Sequence, residues 1–534
     1  MVSFFLCGRS VRRALVLLVV SSSTMHSQAE SSAGAPSRQW GSLAPGRHAV
    51  GFRLAGEYDR SRRVAPAADF EGKPNADPLS MSMQVGIWYP ARPTPSARRM
   101  QYGTFAALGT KRTDLSPVTA ADRATSIGNM RAFAGFAFGR QISEDAIRAV
   151  DTATTAAILD AAPASGRFPV VLAATDGSIA AASVMFEYLA SHGIVVVATP
   201  SRMSYATMQV SRPGAVIEAR VRDLEYLLDR TYRLPFADTT RIAVLGVNFD
   251  GMAALAFQMK NMAARAVVSI DGWEGKANGA ESLRSSYHFD ARRLRVPYFI
   301  VNQDEQTASP ALTLDRSLFD ALRYSDRQWL VLNSMTHAYL IGNPLAYPDV
   351  PADKRASYEL LVRSTGRFLA AALADPPRRL SAFVTSEGSS DTRPASVKDV
   401  VRLEALPAIP DDAELERLIM VDRAVDKVAS ILRAGRQRDS SFMLFPQGTM
   451  ALYAFRFGRQ NDQAFANRLL ELNAEAFPRS WNAADALGDG YRAAADTARA
   501  IAAYTRALEL AGSSADSARA RQAIERKLAS LRRP

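Results

Sequence analysis

The chain has 534 residues, 48% of them hydrophobic and 22% charged, which excludes a disordered protein and leaves room for two or more domains. Its formal charge of +12 is carried by arginines spread along the whole length without a Lys/Arg block, so no nucleic-acid partner is expected. Five histidines and a single cysteine, Cys7, form no metal-ligand spacing, and there is no phosphate-binding or dinucleotide glycine fingerprint. Neither a metal nor a cofactor is expected.

The first 29 residues have the layout of a cleaved signal peptide. Arg9, Arg12 and Arg13 precede an apolar run from Ala14 to Val20, and Ser27-Gln28-Ala29 offers a cleavage site. Cleavage takes away Cys7, three arginines and no acid, lowering the net charge to +9. The expected mature protein is secreted or periplasmic, free of disulfides and without an integral membrane segment, since the apolar run is too short to span a bilayer. Residues 30–44 are rich in Ser, Ala and Gly and read as a linker.

Residues 45–375 carry the pattern of an α/β domain. Strands are expected over His48 to Asp59 and Met81 to Tyr89, and an Ala-rich helical insertion over 120–162 that either forms a lid or covers a sheet edge. From Phe168 onward, short apolar runs alternate with amphipathic segments of helical length. That alternation implies a mainly parallel sheet with helices on both faces. Ligands of such sheets sit at the carboxyl ends of the strands.

The segment RIAVLGVNFDGMAALAFQMKNM, Arg241 to Met262, is a strand running through a sharp turn into a helix. This is the setting of the G-x-S-x-G elbow, which holds a nucleophilic serine on a strained turn above the sheet. Here Asn248 occupies the serine position and Asp250 the second glycine position, while Gly246 and Gly251 are retained. Asparagine tolerates a positive-φ turn. It cannot replace serine as a nucleophile, because a carboxamide has no group for a base to activate.

Acyl-transfer chemistry also needs a base, an orienting acid and oxyanion donors. His337 lies in the loop after an expected last strand ending at Leu332, the place for a base. Two carboxylates at strand ends, Asp271 and Asp304, are candidates for the acid, and spacing does not choose between them. The backbone N–H groups of Ser178 and Phe249 are the natural oxyanion donors. Asp176 and Asp250 are expected to oppose an oxyanion by like-charge repulsion.

These blocks, FPVVLAATDGSIAAASVMFEYLASHGIVVVATPSR, GVNFDGMAAL, SIDGWEG, PYFIVNQDE and MTHAYL, resemble those of the secreted platelet-activating-factor acetylhydrolase and dienelactone-hydrolase-like α/β-hydrolases. The resemblance spans residues 45–375. It implies Asp271 as the acid, His337 as the base, the N–H groups of Ser178 and Phe249 as oxyanion donors and Asn248 at the nucleophile position, with a small acyl-ester or lactone-like ligand. The chain departs from the family at Asn248, at Asp250 and at Asp176, where many members have histidine. The expectation is a protein of esterase type with ester hydrolysis lost or strongly reduced. The alternatives are a hydrolase using water activated by His337, or a scaffold for the C-terminal module.

Residues 376–410, rich in Pro, Arg, Ser and Asp, read as a second linker, and 411–534 as a small all-α module. Ala484, Leu487, Gly488, Tyr491, Ala500, Tyr504 and Ala507 follow the tetratricopeptide spacing, and a degenerate copy from Met450 to Pro478 lies 34 residues earlier. Ala413 to Leu432 is expected as a helix leading in and Ala518 to Leu531 as a capping helix. The repeats would bind a protein partner or serve as a stabilising tail, two copies offering little concave surface.

Overall fold

The computed structural model describes residues 38–63, 80–111, 115–139, 141–175, 177–200, 213–303, 313–333, 335–341, 343–348, 350–377, 395–512 and 515–532. The signal peptide, Asp176 and Asp304 of the sequence reading lie outside them. Among the described residues, no helix is long and apolar enough to cross a membrane. The chain divides into two compact units. One comprises Met1–Tyr287, Pro297–Leu318 and Gln328–Arg402; the other comprises His288–Val296, Phe319–Arg327 and Leu403–Pro534.

The first unit is built on one twelve-stranded sheet. Its strands are β1 (Ala49–Arg63), β2 (Ser80–Arg92), β3 (Arg99–Gln101), β4 (Thr154–Leu159), β5 (Ala162–Pro163), β6 (Phe168–Thr175), β7 (Val195–Pro200), β8 (Ala237–Val247), β9 (Ala266–Ile270), β10 (Tyr298–Gln303), β11 (Arg327–Leu332) and β12 (Val397–Leu403). They lie in the order β12-β11-β10-β9-β8-β6-β7-β2-β1-β4-β3, with β5 on β2. Strands β7, β6, β8, β9 and β10 are mutually parallel, whereas β2 runs antiparallel to both β7 and β1. The central strands are runs such as VVLAA and AVVSI, with both faces buried. Only strands covered on both sides can be so uniformly apolar.

Helices supply that cover. They are α1 (Tyr102–Leu108), α2 (Ala120–Phe138), α3 (Glu144–Thr152), α4 (Ser183–Ser191), α5 (Pro213–Tyr232), α6 (Asp250–Asn261), α7 (Ala277–Arg284), α8 (Ser317–Ala321), α9 (His337–Ile341) and α10 (Ala352–Ala372). Phe186 and Leu189 of α4 and Leu361 and Phe368 of α10 share one core with Val171, Ala173, Ala243 and Leu245. The opposite face of β6 and β8 is covered by α5 and α6. From β6 the chain passes to β7 on one side and then to β8 on the other. This reversal opens a crevice at the carboxyl ends of β6 and β8, where sheets of this kind bind ligands.

Three segments differ from the sequence reading. Residues 120–162 are helical only through Thr152; Thr154–Leu159 is a strand, parallel to β1 and antiparallel to β3. Its alternating burial was hidden by the Ala-rich composition around it. Residues 38–44 of the first linker are ordered because Trp40 and Leu43 are buried in the core. The second linker contains β12, which adds a strand beside β11.

Trp40 also marks a buried acid. Its indole Nε1–H donates to Glu187 Oε2 on α4 at 3.1 Å, and the Ala156 N–H of β4 donates to the same oxygen at 3.0 Å. Burial pushes the Glu187 carboxyl up to about 7, these hydrogen bonds only partly opposing it. The folded state therefore keeps a proton that the unfolded chain loses near pH 4.5, so stability falls as pH rises from there and levels off above about 7. The loss is on the order of 3 kcal/mol. Glu187→Gln removes this component, so urea unfolding at pH 5 and pH 8 shows a flatter dependence in the variant than in the wild type.

The second unit contains α11 (Asp412–Met420), α12 (Val425–Arg438), α13 (Gln447–Arg459), α14 (Gln463–Ala476), α15 (Trp481–Ala493), α16 (Thr497–Leu510) and α17 (Ala515–Arg532). The pair α13–α14 recurs as α15–α16, each helix starting 34 residues after its counterpart. Met450, Ala454 and Phe457 pack with Phe465, Ala466 and Leu469, and Ala484 and Tyr491 pack with Ala500, Tyr504 and Ala507. The expected single helix over Ala413 to Leu432 is two helices, because Arg423 takes φ +52° and the Ala424 N–H turns back to the Leu418 carbonyl. This unit is also not purely a C-terminal tail. Arg295, from a segment between β9 and β10, clamps Glu414 with paired contacts of 2.8 and 2.6 Å.

Candidate active site

Strand β8 ends at Val247 and α6 begins at Asp250, so Asn248 and Phe249 make the whole turn. Asn248 has φ +58°, its N–H donates to the Ile270 carbonyl at 2.8 Å, and its own carbonyl accepts the Gly251 N–H at 3.1 Å. The two retained glycines are there for space. A Cβ on Gly246 would lie 2.0 Å from the Asp250 carbonyl oxygen, and one on Gly251 would lie 2.2 Å from Ser269 Oγ. The first is an approach to backbone, so the tight turn requires glycine at 246, while at 251 a Cβ would force the buried Ser269 and Glu274 side chains to move.

Phe249 caps the amino end of α6, and its ring stands edge-on to Trp273 with centroids 5.9 Å apart. Ser178 caps the short helical turn after β6. Among the described residues, neither the Phe249 nor the Ser178 N–H donates a hydrogen bond. Both stand at the crevice formed by the β6–β8 reversal.

Asp271 follows β9 directly, with φ +49° and no exposed surface. Because Asn248 pairs with Ile270, Asp271 sits one residue from the elbow's own partner. Its Oδ2 is hydrogen-bonded to Nδ1 of His337, the first residue of α9. A carboxylate only accepts, so Nδ1 carries the proton and Nε2 is left as the basic nitrogen. The His337 side chain is 30% exposed, while Asp271 is wholly buried. Asn302 Nδ2 donates to Asp271 Oδ1 at 3.4 Å, and Lys276 Nζ stands 3.5 Å from the same oxygen. Burial pushes the Asp271 carboxyl up, but His337, Lys276 and Asn302 together hold it below the usual carboxylate range. The structure thus places Asn248 and Asp271 at the ends of the adjacent strands β8 and β9 and joins His337, from the loop after β11, to Asp271.

Asp250 is paired. Its carboxylate forms a two-pronged pair with Arg220 of α5, Nε to Oδ1 at 2.6 Å and Nη2 to Oδ2 at 2.9 Å. Arg220 also binds Asp223, which binds Arg62 at 2.7 Å, and Arg62 binds Asp59 at 2.6 Å. Burial opposes the Arg220 charge, but Asp250 and Asp223 more than compensate and hold the guanidinium protonated. The Asp250 carboxylate is thus tied into a buried chain of ion pairs.

Arg220, Lys276 and Asn302 were not singled out from sequence. Arg220 had a signal: it lies four residues from both Val216 and Leu224 on the apolar stripe of α5. Lys276 and Asn302 had none, because their roles arise only where β9, β10 and the following turn converge. Among the described residues, no group of three or more His, Cys, Asp or Glu is arranged to hold a metal ion.

The mostly parallel sheet with its antiparallel second strand, covered by helices on both faces, has the layout of an α/β-hydrolase fold. No protein-family model and no curated protein matches the chain. Among solved structures, the chain is similar to a ferulic acid esterase from Streptomyces cinnamoneus, with 17% identity and a TM-score of 0.44 over 68% of this chain and 98% of the esterase chain.

Proposed function

We propose that this is an exported hydrolase-like protein of the esterase or acetylhydrolase type in which ester hydrolysis is lost or strongly reduced, the pocket being kept to bind a small acyl-ester or lactone-like ligand. One observation carries the reading: an amide side chain stands at φ +58° on the elbow, next to the hydrogen-bonded Asp271 and His337. Acid, base and oxyanion donors keep their places in this reading, and only the group that would bond to the acyl carbon is missing. The 34-residue helix pairs are of tetratricopeptide type. A cavity of about 410 Å³ bordered by Phe477, Leu487, Tyr491, Ala503, Arg506 and Leu510 supports a partner-binding role for them.

Turnover of p-nitrophenyl acetate and butyrate by the wild-type protein tests the proposal, the expected rate being indistinguishable from that of the His337→Ala variant. Ordinary enzyme rates that vanish in His337→Ala would sink it in favour of a second reading, in which His337 activates water. The partly exposed imidazole, with Nδ1 anchored on Asp271, is what recommends that alternative.

A further inference from the structure

Lys276 lies five residues after Asp271, beyond the helical turn Trp273–Gly275. Its position is fixed from both sides of the backbone: the N–H donates to the Trp273 carbonyl at 2.8 Å, and the residue bridges to Leu314. The side chain is 7% exposed. A lysine is seldom so buried without an anionic partner.

Two buried carboxylates feel its charge. Glu274, held by the Tyr298 hydroxyl at 2.9 Å, is pushed by burial toward its neutral form. Asp271 is held in its charged form, so the ammonium is matched to Asp271. The other groups on Asp271 are His337 on Oδ2 and the neutral Asn302 amide on Oδ1. The two cationic or potentially cationic partners therefore approach opposite oxygens of one carboxylate.

We propose that Lys276 is a positioning residue, a permanent counter-ion that holds Asp271 from the side away from His337 and limits how strongly the carboxylate polarises the imidazole. This rests on the reading of Asp271 and His337 as acid and base. In a working triad the buried aspartate is matched when the histidine takes the nucleophile's proton and becomes imidazolium. With Asn248 in place of a nucleophile, no imidazolium forms by that route. Lys276 supplies a charge 3.5 Å from Oδ1 and leaves the His337–Asp271 hydrogen bond as an orienting contact.

The readout is the low-field proton resonance of the His337 Nδ1–H in the full-length protein, assigned by its loss in His337→Gln. In Lys276→Met the uncompensated carboxylate is the stronger acceptor, and the resonance moves downfield. Lys276→Gln, which keeps a donor but not the charge, moves it the same way, so the answer does not depend on the Met variant folding. Lys276→Arg leaves it near the wild-type position. A resonance unmoved in the uncharged variants, or moved equally by Lys276→Arg, overturns the proposal. Ester turnover plays no part in this measurement, so it can fail while the functional proposal stands, and the reverse.

Discussion

Asn248→Ser turns the protein into an esterase, raising p-nitrophenyl butyrate turnover by roughly 10³-fold over wild type, because a triad without its nucleophile keeps only the contribution of binding and oxyanion donors. The backbone at 248 is already in the elbow conformation, set by the Asn248–Ile270 hydrogen bond and by the close approaches at Gly246 and Gly251, none of which involves the side chain. Serine tolerates a positive φ less well than asparagine, at a cost of roughly 1–2 kcal/mol that the packed turn can bear. The gain belongs to the hydroxyl and its base. Asn248→Ala therefore stays silent, and Asn248→Ser/His337→Ala falls back to background. Should Asn248→Ser be no faster than wild type while remaining folded, the site is not a triad lacking only its nucleophile.

How far the sequence could be read depended on the range of the interactions involved. The strands from β6 to β10 announce themselves because a parallel strand buried on both faces must be apolar, as the VVLAA run of β6 is. The elbow is equally local: a strand, a glycine, a residue that tolerates positive φ and a helix. The position of Asn248 follows from that spacing. Choosing between Asp271 and Asp304 is not a local matter, since it depends on which strand end meets the loop carrying His337. What escaped was fixed by contacts between distant segments. Arg220 meets Asp250 across 30 residues, and β12 takes its place on a sheet edge set by β11. Thr154–Leu159 was read as helix because alanine is the strongest helix former, yet its pairing with β1 on one side and β3 on the other outweighs that preference.

Asp250→Gly, which restores the glycine of the elbow motif, lowers the stability of the protein by about 3 kcal/mol and shifts its urea midpoint downward. The reason is Arg220, buried with 2% exposure and bound through Nε and Nη2 to the Asp250 carboxylate. Charge balance alone would not predict the loss. Asp59, Arg62, Asp223, Arg220 and Asp250 sum to one net negative charge, and removing Asp250 leaves the chain neutral. The cost comes instead from two guanidinium N–H donors stranded where water does not reach, and from the acidic residue lost from the first turn of α6. Arg220→Met in the same protein recovers most of the stability, since it removes the stranded donors while Asp223 keeps Arg62. It follows that the glycine at 250 and the arginine at 220 exclude one another, and that Asn248→Ser is best made alone; adding Asp250→Gly destabilises it. An Asp250→Gly protein as stable as wild type would show that the Arg220 pair does not hold the elbow.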